Sequence, residues 1–189
     1  RVAYGCKGLE FNRKGIVVDE NMQTSLKGVY AVGDVNGKMM LAHAAVFQGK
    51  VALNHICESE GLPVHSRIRQ DIMPSAVFTC PPLSSVGLSE EACKERGIEY
   101  NVLKSLYGAS GMALASDCGE GICKVLAAKP GQKGFRDWQI LGCHIVGENA
   151  PDLISEVAVL MNYDATVDEL SDIIHPHPSF SELILNAVK

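Results

Sequence analysis

The rhythm of apolar and polar positions changes near residue 60. Before it, Gly15-Ile16-Val17-Val18-Asp19 reads as a short strand followed by a turn at Glu20-Asn21. Gly28-Val29-Tyr30-Ala31-Val32-Gly33-Asp34 reads as a buried strand ended by Gly-Asp. From Leu41 to about Cys57, small and apolar residues suit a helix, with Gln48, Lys50 and Asn54 available for an exposed side. Gly49 within it costs about 1 kcal/mol of helix propensity and is expected to mark close packing. Glu58-Ser59-Glu60-Gly61-Leu62-Pro63 breaks the pattern, so a domain boundary is expected within 58–71, dividing the chain into 1–65 and 66–189.

After the boundary, strands come first and helices last. Ala76-Val77-Phe78-Thr79 is a strand stopped by Pro81-Pro82, and Ser89 N-caps a short helix ending at Gly97. Asn101 to Tyr107, Ile122 to Ala128 and Trp138 to Val146 follow as strands. The last two flank a polar loop with Pro130-Gly131 at its tip, which predicts an antiparallel hairpin. A helix runs from near Pro151 to about Tyr163, and Thr166-Val167-Asp168-Glu169 is a capping box opening another. This order predicts an α+β domain, an antiparallel sheet with helices on one face.

Composition excludes more than it assigns. The 189 residues, 47% hydrophobic, suffice for one core, or one core plus part of another. A net charge of −5 with scattered basic residues gives no footprint for nucleic acid or an anionic membrane surface. No apolar run reaches the ~18 residues a membrane span needs. The chain opens on Arg rather than Met and shows no signal-like segment, so it reads as a piece of something longer. Seven cysteines at irregular spacing are not a secreted disulfide framework, and without Cys-x-x-Cys no metal site is expected. Cys118 and Cys123 invite a redox reading. However, Asp117-Cys118-Gly119-Glu120-Gly121 is turn chemistry, and Cys123 falls on the polar or edge face of a strand, so a hairpin with incidental cysteines is preferred.

Candidate chemistry lies in two places. His175-Pro176-His177-Pro178-Ser179-Phe180-Ser181-Glu182 sets a histidine five residues ahead of a glutamate. One group can take a proton near neutral pH, and the other can orient and charge-balance it. Taken alone, Ser179-x-x-Glu182 is equally a capping box, with the histidines as loop residues. Gly33-Asp34 and Met40-Leu41-Ala42-His43 read as a strand stop and a helix start. A carboxylate after glycine approaches a sugar-like chain closely, and a helix N-terminus favours negative charge.

Together these motifs resemble FAD-dependent disulfide oxidoreductases of the class I pyridine nucleotide family, in the dihydrolipoamide dehydrogenase branch. Thr24 with Val29 to Asp34 is similar to that family's second flavin-contact motif, and His-x-His-Pro-Ser-x-Ser-Glu to its acid-base motif. Pro74 to Thr79, Pro82, Val86-Gly87 and Leu141 to Gly147 resemble its interface domain, so the likeness covers essentially the whole chain. The resemblance implies the C-terminal part of an α/β FAD-binding domain followed by a dimerisation domain. Gly33, Asp34, Met40, Leu41, Ala42 and His43 would contact FAD. His177 would deprotonate a substrate thiol, Glu182 would hold its imidazole, and His175 would be structural. The whole enzyme would oxidise dihydrolipoamide with NAD, as a cytoplasmic homodimer joined through residues after about 70. It would serve a lipoyl-bearing subunit of a 2-oxo acid dehydrogenase complex or a glycine cleavage system. The family's redox disulfide and first, glycine-rich FAD motif are absent here, so the isolated chain is expected to be inactive. The alternatives are a glutathione- or mercuric-reductase-like enzyme, or a non-catalytic dimerisation module.

Overall fold

A computed structural model describes residues 7–64 and 68–189. The expected boundary at 65/66 lies outside the described residues. The chain forms two compact units, Arg1–Gln70 and Asp71–Lys189.

In the first unit, the side chains that close turns also break up the expected strands. Asn12 Oδ1 accepts from the backbone N–H of Lys14 and Gly15, and Asp19 Oδ1 from those of Asn21 and Gln23. Among the described residues, 15–19 and 28–34 form isolated bridges rather than ladders, Phe11 to Ile16, Val18 to Thr24 and Gln23 to Tyr30. The second run ends in a 3-10 turn, Gly33–Asn36.

Helix α1, Ala42–Ser59, buries Ala44, Gln48 and Ala52, four residues apart on one side. Gln48 is thus inside rather than exposed. Its Oε1 accepts from Gly33 N at 2.7 Å and Asn36 Nδ2 at 2.8 Å, which satisfies the buried amide oxygen. Gly49 does not mark close packing, since a Cβ there would meet nothing within 4 Å.

The second unit is a five-stranded antiparallel sheet in the order β1-β2-β5-β4-β3. Its strands are β1 Ser75–Val77, β2 Leu83–Gly87, β3 Tyr100–Leu106, β4 Ile122–Ala128 and β5 Ile140–Val146. The expected β4–β5 hairpin is present. It is shorter than its pattern because Trp138 sits at φ 60, a left-handed conformation no ladder uses. β1 is shifted off Phe78 and Thr79, and Tyr107 leaves β3 for a 3-10 turn, Tyr107–Ala109. β2 was not expected. Its inward Ser84 is fully buried and donates Oγ to the Ala150 carbonyl at 2.5 Å, so a polar residue occupies a core position and hides the alternation.

Helices α2 Glu90–Glu95, α3 Gly111–Ala115, α4 Ala150–Asn162, α5 Val167–Ser171 and α6 Glu182–Val188 complete the unit. α4 lays Leu153, Ile154, Val157, Ala158 and Met161 on the sheet, and α6 adds Leu183, Ile184 and Ala187. They cover Val125, Ala127, Cys143 and Ile145. The small α2, N-capped by Ser89 as expected, places Cys93 against Leu126, Ala128 and Leu141 in a second cluster. A bulge gives β5 one extra residue, with Leu126 opposite Gly142 and Ala127 opposite Ile140.

Cys123 is not on a polar or edge face. β4 is paired on both sides, and Cys123 is fully buried with its sulfur 4.0 Å from that of Cys143. Cys118 instead donates its thiol to the Ser116 carbonyl at 3.1 Å, and both Cys118 and Cys123 are free. Among the described residues, no helix is long and apolar enough to cross a membrane.

Candidate active site

α6 positions Glu182, its first residue. Leu183 and Ile184 are fully buried, and Ser105 Oγ of β3 donates to the Leu183 carbonyl at 2.6 Å, so the opening turn of α6 is tied to the sheet. Phe180, just ahead, packs its ring against that of Tyr107 with centroids 6.3 Å apart. The segment from Asp172 to Ser181 lies between α5, whose capping box of Thr166 and Glu169 is fully formed, and α6.

Across this segment the structure brings His177 and Glu182 together. His177 Nδ1 lies 2.9 Å from Glu182 Oε1, and Glu182 Oε2 accepts from the backbone N–H of Ser179 at 2.8 Å. Only half of the Ser179-x-x-Glu182 capping box is therefore made, because the Ser179 hydroxyl bonds Ser181 Oγ instead. The bond from His177 and the N–H of Ser179 hold the Glu182 carboxyl below the usual carboxylate range. A carboxylate only accepts, so Nδ1 carries the proton and the neutral ring keeps its lone pair on Nε2. The His177 side chain is 78% exposed and that of Glu182 22%, so the imidazole faces outward while its partner is held at the surface of the fold. The His177–Pro178 peptide is cis. His175, two residues earlier, turns the other way, its Nε2 2.7 Å from Glu156 Oε1 on α4.

The residues expected to meet FAD surround the start of α1. Gly33 adopts φ 76, and a Cβ there would come within 3.1 Å of Ala45 Cβ. With its N–H on Gln48, this seats the 3-10 turn closely on the helix. Asp34 is exposed beside it, as are Met40, Ala42 and His43, while Leu41 is half-buried. Leu41 does not open the helix but stands at its N-cap in extended conformation, with Ala42 first. Among the described residues no side chain caps this N-terminus and no acidic residue lies in its first turn, so the helix presents a positive end there. An anionic, hydroxyl-rich group such as FAD fits that positive end, with Asp34 as a hydroxyl acceptor.

Sequence reasoning missed Gln48, which accepts from Gly33 N, Asn36, which donates to Gln48, and the Glu156 partner of His175. Gln48 had a signal, because it falls four residues from both Ala44 and Ala52 on the buried side of α1. Glu156 had none, since it lies off the apolar stripe of α4.

Residues 73–188 match the sequence profile of the pyridine nucleotide-disulphide oxidoreductase dimerisation domain, and residues 2–49 that of the pyridine nucleotide-disulphide oxidoreductase domain. The chain belongs to the pyridine nucleotide-disulphide oxidoreductase family. It is similar to dihydrolipoyl dehydrogenase 2, mitochondrial, of Arabidopsis thaliana, with 39% identity over 95% of this chain and 34% of that protein. A leghemoglobin reductase of Glycine max is 38% identical over 95% of this chain and 32% of that protein. The dihydrolipoyl dehydrogenase of Haemophilus influenzae is 33% identical over 95% of this chain and 36% of that protein. Among solved structures, LpdA of Mycobacterium tuberculosis superposes with a TM-score of 0.81 at 27% identity, covering 96% of this chain and 38% of that one. The chain thus spans about a third of the length of the curated relatives it matches.

Proposed function

We propose that this chain is the C-terminal part of a flavin-dependent disulfide oxidoreductase that oxidises dihydrolipoamide with NAD, and that it supplies the dimer interface and the acid-base pair. The observation that carries the reading is the 2.9 Å bond from His177 Nδ1 to Glu182 Oε1, which leaves Nε2 on an outward-facing ring. Nε2 takes the proton of a substrate thiol, and the thiolate left behind is the nucleophile that attacks a disulfide. Glu182 fixes the tautomer before the transfer and balances the imidazolium after it. When bound, FAD supplies a two-electron relay between a dithiol and NAD; Asp34 and the start of α1 would hold it. The pair on this chain serves the disulfide of a partner subunit, so the homodimer is the catalytic unit. A lipoyl-bearing subunit of a multienzyme complex is the corresponding macromolecular partner.

The name of the soybean relative, a leghemoglobin reductase, shows that proteins this similar carry more than one functional label. The test is therefore competitive. The full-length flavoprotein should form NADH from NAD and dihydrolipoamide at least about 10²-fold faster, as kcat/KM, than from NAD and glutathione, a factor worth roughly 2.7 kcal/mol of transition-state discrimination. Equal rates with the two thiols would exclude the lipoamide assignment.

A further inference from the structure

We propose, on the acid-base reading of His177 given above, that His175 is a positioning residue that fastens the segment carrying the base to helix α4. From Asp172 to Pro178 the backbone is neither helix nor strand, and every residue of that run except His175 is exposed. Ile174, beside it, is 95% exposed. The His175 side chain is 4% exposed and both ring nitrogens are engaged, Nε2 with Glu156 Oε1 at 2.7 Å and Nδ1 with the Ile173 carbonyl at 3.0 Å. A carboxylate and a carbonyl only accept, so both contacts hold the ring from the side of its nitrogens. The charged groups near it are Glu156 of α4, in contact, and Glu182 of α6.

The anchor point is well placed for the task. Glu156 lies between Ile154 and Val157, which are packed into the sheet core, so it moves with a helix seated on the sheet. One residue, Pro176, separates the anchored ring from His177. With His175 fixed at one end and Glu182 at the other, His177 is held from both sides. Without His175, the run from Asp172 to Pro178 has no inward side chain, and Glu156 loses a charge-assisted partner. His177 would then sample positions in which Nε2 no longer meets the thiol, and a misplacement of about 1 Å is enough to cost a large part of the rate.

Two measurements test this. In the present chain labelled with 15N-histidine, His175→Gln should shift the ring signals of His177. His177 signals unmoved by the substitution would overturn the proposal whatever the enzyme does. In the full-length flavoprotein, His175→Gln should lower dihydrolipoamide-dependent turnover about 10-fold or more, yet cost nothing further in a His177→Gln background. Equal losses in both backgrounds would mean that His175 does not act through His177, and would also overturn it. If His177→Gln alone leaves turnover intact while the nitrogen signals behave as expected, the acid-base reading fails and the anchor stands.

Discussion

Ser179 donates its backbone N–H to Glu182 Oε2 over 2.8 Å, which reserves Oε1 for His177. One carboxylate therefore ties the loop to the start of α6 and orients the ring. Both bonds favour the anion, so the folded-state pKa of Glu182 lies below its unfolded value. A depressed carboxylate contributes stability that is complete above its unfolded pKa and is lost as the pH falls through the folded value. Glu182→Gln should therefore remove part of the acid sensitivity of folding. Denaturant midpoints of the two proteins should differ at neutral pH and converge in acid; a constant difference at every pH would contradict the ionised role.

His177→Gln tests the base itself. The amide side chain can still reach Glu182, but it has no basic nitrogen to take the thiol proton. In the full-length flavoprotein, dihydrolipoamide-dependent turnover should fall by about 10²-fold or more, the scale expected for losing a general base. Because His177 is largely exposed and buries little surface, the denaturant midpoint should scarcely move. Unchanged turnover would remove His177 from the mechanism.

Much of this was legible in the sequence, and the misses share a cause. The Ser89 cap and the Thr166–Glu169 capping box were readable because each joins residues close together in the chain, and the β4–β5 hairpin because two strand-like runs flank a polar Pro-Gly loop. The His177–Glu182 pair spans five residues and was likewise in view. What failed depends on distant partners. Residues 15–19 and 28–34 have strand-like composition, but the described first unit gives them only single bridges. Ser84, Gln48 and Cys123 look polar or marginal in a pattern, and are buried because of what they meet: the Ala150 carbonyl, the Gly33 N–H and the Cys143 thiol. The tie between His175 and Glu156 joins residues 19 apart and leaves no local signature.

The residues proposed to hold FAD bear on the chain by itself. Asp34, Met40, Ala42 and His43 are exposed, and one carboxylate with one helix N-terminus is a small fraction of the contacts that hold a dinucleotide. The purified 189-residue chain should bind FAD weakly or not at all, and titration with FAD should leave the flavin fluorescence unquenched at micromolar protein. A yellow preparation with a stoichiometric flavin spectrum would show that these residues suffice.

The second unit should self-associate. Phe78 is 85% exposed and Tyr163 80%, large apolar areas to leave in water on a unit that matches a dimerisation profile. Sedimentation of the chain should show a monomer–dimer equilibrium that shifts toward monomer on Phe78→Ser or Tyr163→Ser. A single monomeric boundary at high concentration would count against an intact dimer surface.

Gly147 gives the sharpest test of how the fold supports the site. It follows β5 at φ 148, and a Cβ there would sit 2.3 Å from Cζ of Tyr107, whose hydroxyl donates to the Glu148 carbonyl at 2.7 Å. The ring cannot step aside: it is fully buried, and on another side Gly121 would bring a Cβ within 2.7 Å of it. Gly147→Ala thus combines an unfavourable backbone angle with an overpacked core, and should cost about 2–4 kcal/mol by chemical denaturation. Gly49→Ala is the control. It lies inside α1 with open space around it, and should be neutral or stabilising by up to about 1 kcal/mol. The damage at Gly147 should also reach His177 and Glu182, because Tyr107 packs on Phe180, two residues ahead of Glu182. In Gly147→Ala the ring signals of His177 should shift even under conditions where the protein stays folded. A stability loss with His177 unperturbed would show that the Tyr107–Phe180 contact does not help to hold the site.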